Sequence, residues 1–282
     1  MADISVIILT KDEKLHIGRC LERLRGLNPR QIFVVDCFST DETKSIVESF
    51  APPYPHASTP SLCFVQHEWP GNQAAQFQWA LNNLSIESRW ILRLDADEYL
   101  TDGLIAEIKA KLPKLEDGVD GIVLKRRHVV GWLGNRWIKR GMYPTRILRL
   151  FRKGRGRSDL KIMDEHIVVE GRVVEFDNDF VDHSLISFAD WQAKHRAYAK
   201  REAQSYLSGE RSTGEKAAKK DAYYKLPPYF RAVVYFCIRY FLKFGFLDGL
   251  PGFRWHFWQG LWYRWLVDRE IGKMKRRQDL QD

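Results

Sequence analysis

Asp95 and Asp97 stand two apart in Ile91-Leu92-Arg93-Leu94-Asp95-Ala96-Asp97-Glu98, directly after an apolar run. Such a run reads as a buried strand, so the two carboxylates emerge at a sheet edge, where they can offer oxygen to a divalent cation. Mg2+ and Mn2+ prefer oxygen ligands, and phosphate-bearing substrates are usually held through one or two carboxylates plus the ion. A pyrophosphate needs its charge neutralised before it can leave. An acidic pair at a strand end is, taken alone, more often a solvated cap, so its company in the chain decides.

The preceding residues supply that company. Residues 4–9 form a continuous β-rich apolar run, the mark of a strand covered on both faces of a parallel sheet. Polar Thr10-Lys11-Asp12-Glu13 follows, then Leu15, Ile17, Leu21 and Leu24 at helical spacing, with Asn28-Pro29 as the stop. Residues 31–35 predict a second strand ending at Asp36. Ser39-Thr40-Asp41-Glu42-Thr43 then provides turn and N-cap chemistry for a helix led by Ile46 and Val47. Strand and helix alternate as in an α/β domain, whose ligands bind beyond the carboxyl ends of the strands. Thr10, Asp12, Asp36, Asp41, Asp95 and Asp97 all fall at such ends. No G-x-G-x-x-G follows the first strand and no G-x-x-x-x-G-K-[ST] occurs, which argues against a dinucleotide fold and a P-loop.

Three ordered segments, residues 5–13 (SVIILTKDE), 34–43 (VVDCFSTDET) and 94–98 (LDADE), resemble the motifs of family 2 glycosyltransferases of the GT-A fold. The resemblance implies a nucleotide-diphospho-sugar transferase fold with a mostly parallel central sheet and flanking helices. It implies that Thr10, Asp12, Glu13, Ser39 and Asp41 frame the nucleotide. Asp36 would read the uracil or other base edge, or the ribose, and Asp95 would contact the ribose or the sugar. Asp97 would ligate Mn2+ or Mg2+ bridging the diphosphate. Two departures stand out: the family usually has Asn at Asp12 and Gly near Phe38. Residues 71–81 resemble a helix that often carries Lys-Asn, but Phe77 and Gln78 occupy those places.

Past the acidic pair the chain turns basic and aromatic, with Lys125-Arg126-Arg127-His128, Trp132, Trp137, Lys139-Arg140, Tyr143, Arg146, Arg149 and Arg152. Aromatic faces stack on sugars and guanidinium groups grip phosphate, a mixture suited to a phosphorylated or lipid-diphosphate glycan acceptor. An inverting transferase also needs a carboxylate to take the acceptor hydroxyl proton. Asp164 and Glu165, in Met163-Asp164-Glu165-His166, are the candidates, and the family's acidic position favours Glu165. His183, at a further strand end, matches a histidine that in similar enzymes approaches the metal or the diphosphate, and is assigned with Asp97 to the metal. The helix opening at Lys194-His195 and the Gly245-Phe246-Leu247-Asp248-Gly249 segment are similar to lipopolysaccharide-core and exopolysaccharide glucosyltransferases, which extends the resemblance over nearly the whole chain.

The 282 residues carry a net charge of +9 and four cysteines without C-x-x-C spacing. That fits a reducing compartment and gives no disulfide scaffold or zinc site. The chain opens on a strand-like run without a secretory signal, so a cytoplasmic location is expected. Residues 229–244 hold too many cations to span a bilayer, yet their aromatic and basic content suits an interfacial segment, as does that of residues 253–265. The expected organisation is a catalytic domain over residues 1–222, with a nucleotide-sugar half at 1–100 and an acceptor half at 101–222. Amphipathic helices facing a membrane or a partner follow at 223–282.

These readings converge on a metal-dependent, inverting hexosyltransferase. It would use a nucleotide diphosphate sugar, UDP-sugar favoured, and a lipid-linked or phosphorylated glycan acceptor in bacterial surface polysaccharide biosynthesis. It would sit peripherally at the inner face of the cytoplasmic membrane. No nucleic-acid partner is expected, since no such motif accompanies the charge. The alternative is a non-catalytic nucleotide-sugar-binding module in a glycan assembly complex.

Overall fold

A computed structural model describes residues 1–50, 60–159, 166–209 and 221–279. The chain forms two compact units, Met1–Val130 with Pro144–Leu185, and Gly131–Tyr143 with Ile186–Asp282.

The first unit is built on β1 (Ala2–Thr10), α1 (Ile17–Leu27), β2 (Pro29–Asp36), α2 (Thr43–Phe50), β3 (Ser61–Gln66), α3 (Gln73–Asn83) and β4 (Trp90–Asp95). It continues with β5 (Glu98–Leu100), α4 (Asp102–Lys111), β6 (Val119–Val130), β7 (Thr145–Arg152), the short strands β8 (Gly156–Ser158) and β9 (Ile167–Val169), and β10 (Arg172–Ser184). The main sheet runs β3-β2-β1-β4-β7-β6-β10-β5. Its first four strands are parallel, as are β6 and β10, whereas β7 and β5 pair antiparallel to their neighbours. This is the mixed α/β architecture the sequence predicts.

β1 explains its own continuous apolarity. Ile4, Val6 and Ile8 face α1 through Ile17, Leu21 and Leu24. Ile7 and Leu9 face Phe77 and Ala80 of α3 and Phe151. Both faces are dry, so from Ile4 the strand is apolar up to its carboxyl end except at Ser5, whose buried hydroxyl donates to Gln31 Oε1. α1 begins at Ile17, two residues later than the spacing suggests, and Leu15 is left largely exposed. Asn28 closes the helix in the left-handed conformation, φ 51°, and Pro29 becomes the first residue of β2, where a missing N–H is tolerated.

The second unit contains α5 (Phe188–Leu207), α6 (Phe230–Cys237), α7 (Gly249–Trp255) and α8 (Tyr263–Gln278), with π-helical turns at Ile238–Leu242 and His256–Trp262. Ala199 and Ala203 pack against Tyr263, Leu266, Val267 and Ile271. Buried ion pairs join Arg231 to Asp268 and Arg264 to Glu202, and Glu202 also accepts from Tyr263 Oη at 2.6 Å. Asp248 of the Gly245–Gly249 segment accepts backbone N–H bonds from Lys139 and Arg140, each at 2.8 Å. Its place in the sequence is therefore explained by loop anchoring. The aromatic stretch at residues 253–265, read as interfacial, is divided: Trp255 and Tyr263 are buried, Trp132 lies against Phe188, Trp191 and Trp255, and Phe253 and Trp265 are exposed. No helix among the described residues is long and apolar enough to cross a membrane.

Candidate active site

Parallel register brings the predicted residues to one edge of the first unit. Thr10 pairs with Asp36 across β1 and β2, and Leu9 with Asp95 across β1 and β4. Asp36 is fully buried. Its Oδ1 accepts from Thr10 Oγ1 at 3.0 Å and from Ser39 Oγ at 2.5 Å, while its Oδ2 accepts from Ser39 N at 2.8 Å and Gln66 Nε2 at 3.4 Å. A carboxylate so held cannot rotate, since each of its oxygens already accepts two bonds.

The loops after β1 and β2 lock onto each other. Asp12 N donates to Ser39 Oγ at 2.7 Å, and Asp12 Oδ1 accepts from Thr40 N at 2.7 Å. Asp41 accepts from Lys14 N at 3.1 Å and from Thr43 N at 3.0 Å. Its carboxyl is held below the usual carboxylate range: burial opposes this, and the Thr43 and Lys14 bonds outweigh it. Glu13 N donates to Thr43 Oγ1, and the Glu13 carboxylate meets His16 Nδ1 at 2.5 Å. His16 Nε2 accepts from Leu185 N at 2.8 Å, so its ring proton lies on the Glu13 side. Asp12, Glu13 and Asp41 thus build the two loops that surround Asp36.

The acidic turn after β4 is clamped from beneath. Asp95 N donates to Glu98 Oε2 at 3.0 Å, and Arg149 of β7 donates to Asp95 Oδ2 at 3.1 Å and to Glu98 Oε1. Burial would raise the Asp95 pKa, but Arg149 and Arg93 outweigh it and lower it. Burial pushes Glu98 up to about 8, against the pull of Arg149 and with the help of Asp95, Asp182 and Asp97. Asp182, in register with Glu98, lies 3.3 Å from Arg126 and 3.2 Å from His128. Contacts with His128 and then Arg126 outweigh its burial and hold it well below the ordinary range. Arg127 pairs with Asp179 and Arg146 with Glu175. Much of the basic stretch read as acceptor-binding is therefore engaged with this unit's own carboxylates.

Asp97 and His183 come together: His183 N donates to the Asp97 carbonyl at 3.0 Å. Arg19 of α1 reaches His183 twice, NH1 at 2.9 Å from Nδ1 and NH2 at 2.5 Å from the carbonyl. Burial first, then Arg19, lowers the His183 pKa to about 4, so the ring is neutral near pH 7. A guanidinium only donates, so Nδ1 accepts and the ring proton sits on Nε2.

That arrangement decides how the side chains fit a divalent cation. Asp95 Oδ1 is buried without a hydrogen-bond partner, 3.5 Å from Arg93, and Asp97 is half-buried at the strand end, so the pair presents hard oxygen atoms suited to Mg2+ or Mn2+. His183 Nε2 carries a proton in this geometry, which suits an anionic oxygen; ligating a cation would require breaking the Arg19 contact. Among the described residues no group of three His, Cys, Asp or Glu gathers as a metal site. Asp164 and Glu165, the predicted base residues, lie outside the described residues.

Residues 5–166 match the sequence model of Glycosyl transferase family 2. The chain belongs to glycosyl transferase family 2. Among solved structures it resembles the mannosyltransferase PcManGT from Pyrobaculum calidifontis, in complex with GDP-Man and Mn2+, with a TM-score of 0.54 at 16% identity over 95% of this chain and 86% of that one. That likeness is one of fold, and it agrees with the GT-A architecture read from the motifs. S. aureus TarS, residues 1–349, matches at 18% identity over 70% of this chain and 64% of that one, TM-score 0.42. Glucosyl-3-phosphoglycerate synthase from Mycobacterium tuberculosis, in complex with Mn2+, UDP and glucosyl-3-phosphoglycerate, matches at 14% identity over 44% of this chain and 43% of that one, TM-score 0.34. The family 2 chain thus spans less than two thirds of the latter two. No curated protein sequence matches it.

Arg19 and Glu98 are site residues that sequence reasoning left without a role, and Arg149, read with the acceptor-binding stretch, instead clamps Asp95 and Glu98. Glu98 adjoins the acidic pair and could have been suspected. Arg19 and Arg149 reach the site from 164 and 54 positions away, respectively, and no local pattern announces them.

Proposed function

We propose that this family 2 chain is a metal-dependent inverting glycosyltransferase. It would move a hexose from a nucleotide diphosphate sugar, UDP-sugar favoured, to a lipid-linked or phosphorylated glycan acceptor in bacterial surface polysaccharide biosynthesis. The observation that carries this reading is the shared sheet edge at which Thr10, Asp36 and Ser39 form one hydrogen-bonded cluster while Asp95 and Asp97 emerge from the next strand.

In this reading Asp36, with Thr10 and Ser39, reads the base edge or ribose, inside loops built by Asp12, Glu13 and Asp41. Asp95, fixed by Arg149 and Glu98, contacts the ribose or sugar. Asp97 would hold the cation with Asp95 beside it, and bound Mn2+ or Mg2+ would neutralise the charge gathering on the departing diphosphate. His183, oriented by Arg19, donates from Nε2 to a diphosphate oxygen, the second of the two roles open to a histidine here. The acceptor hydroxyl loses its proton to Glu165 or Asp164 and attacks the anomeric carbon. The new glycosidic bond forms as the bond to the diphosphate breaks, with inversion.

We assign donor and acceptor chemistry to residues 1–222, and contact with the inner face of the cytoplasmic membrane to residues 223–282. The membrane assignment is supported by exposed Phe241, Leu242, Phe244, Phe246, Leu247 and Leu250, of which Phe241 and Phe246 lie against Tyr240, with Lys243 and Arg254 exposed in the same stretch of chain. Apolar side chains flanked by cations are how interfacial segments hold anionic lipid. Turnover of a panel of nucleotide sugars with Mn2+ tests the function: release of a nucleoside diphosphate from at least one supports it. Nucleotide-sugar binding without turnover, unchanged in Glu165→Gln, would favour a binding module instead.

A further inference from the structure

Phe38 carries two penalties at once. It lies between Asp36 and Ser39 with φ at +56°, the left-handed region that bulky side chains avoid, and it is 49% exposed. Its carbonyl is pinned by Lys11 Nζ at 2.7 Å, which fixes the turn in that conformation. Glycine would hold the same turn without the steric conflict and without presenting an apolar ring to water. A residue unfavourable both to its own backbone and to its solvent contributes little to folding, and strain of this kind gathers where a ligand is engaged.

The neighbourhood says which ligand. Asp36, two residues earlier, is immobilised by Thr10, Ser39 and Gln66, and anchors the turn that presents Phe38. The loop after the adjacent β3, joined to Asp36 by the His67 N–H bond to its carbonyl at 3.0 Å, carries Trp69, also exposed, at 46%. Two exposed aromatic side chains on loops tied to one rigid strand end suit a flat heterocycle. A diphosphate alone calls for no such aromatic surface.

We infer that Phe38 is a stacking wall for the nucleotide base of the donor. The inference rests on the nucleotide-sugar reading of the site. It assigns affinity for the base to the ring of Phe38 and discrimination between bases to Asp36, since every base has a π-face but not the same edge.

The test compares Phe38→Gly, Phe38→Ala and Phe38→Trp with the parent by thermal unfolding without ligand, and by calorimetric titration of UDP, GDP and inorganic pyrophosphate with Mn2+. Phe38→Gly should melt at or above the parent's temperature, yet bind the better nucleoside diphosphate about tenfold more weakly, with pyrophosphate affinity unchanged. Phe38→Ala, which keeps the turn's constraint but lacks the ring, should lose the same factor, and Phe38→Trp should keep it. Equal nucleotide affinity in Phe38→Gly and the parent would overturn the inference and leave the donor reading standing. Parallel loss of pyrophosphate would also overturn it, by tracing the effect to loop geometry. A parent that binds neither nucleotide would remove the donor reading itself.

Discussion

His183 carries its proton where Arg19 dictates, and this separates two roles that a sequence cannot. As a donor to a diphosphate oxygen, the ring can be replaced in part by an amide that also donates. His183→Gln is therefore expected to retain at least tenfold more turnover than His183→Ala, with the Mn2+ concentration for half-maximal rate the same in both and in the parent. A rise of that concentration in both variants would instead make His183 a cation ligand. Since burial and Arg19 hold its pKa at about 4, the ring should contribute no step to the rate profile between pH 6 and 8. Asp95 differs in kind: Arg149 and the Glu98 carboxylate fix it from both ends of the turn, so its position is preorganised before any ligand arrives.

Among the elements, β1, β2 and β4 were legible because strands covered on both faces are predominantly apolar, with Ser5, Gln31 and Arg93 as buried exceptions, and a polar residue stands where each emerges. The turn chemistry of residues 39–43 was equally plain, and the structure uses it to cross-link two loops. Arg19–His183 and Arg149–Asp95 were not legible, because pairs made by tertiary packing leave no periodic trace in the chain. Aromatic content on a helix also does not say which face another helix covers: Trp255 and Tyr263 are buried, whereas Trp265 is exposed. α4 offers a test at this scale. Buried Glu107 accepts from Asp177 N and Asn178 N, each at 2.9 Å, where β10 shifts register before reaching Asp182 and His183. Its pKa falls from 4.5 to about 2: burial opposes the shift, and the Asp177, Lys111 and Asn178 bonds outweigh it. A carboxylate with a depressed folded pKa stabilises fully above its unfolded value, and that stability is lost as pH falls through the folded one. Glu107→Ala should cost about 2 kcal/mol at pH 7 in denaturant unfolding, and the gap to the parent should narrow from pH 4.5 toward pH 2. A constant gap over that range would refute the assignment.

For the whole molecule, a net charge of +9 must be reconciled with a site rich in carboxylates. Much of the arginine near that site neutralises buried acids, which leaves exposed cations such as Lys243, Arg254, Lys275, Arg276 and Arg277 for an outside partner. The exposed apolar residues from Phe241 to Leu250 lie in the same unit as these cations. Leu242→Glu with Leu250→Glu should abolish most co-sedimentation with phosphatidylcholine vesicles containing phosphatidylglycerol, while release of nucleoside diphosphate from the donor continues at the parent's rate. Undiminished sedimentation would place the membrane contact elsewhere. In the proposed function the acidic pair after β4 is the centre of the chemistry. The most direct measurement is Mn2+-dependent release of nucleoside diphosphate from a nucleotide sugar by the parent and by Asp97→Ala. A fall of at least about a hundredfold in the variant, with folding intact, is the predicted result; equal rates in the two proteins would contradict it.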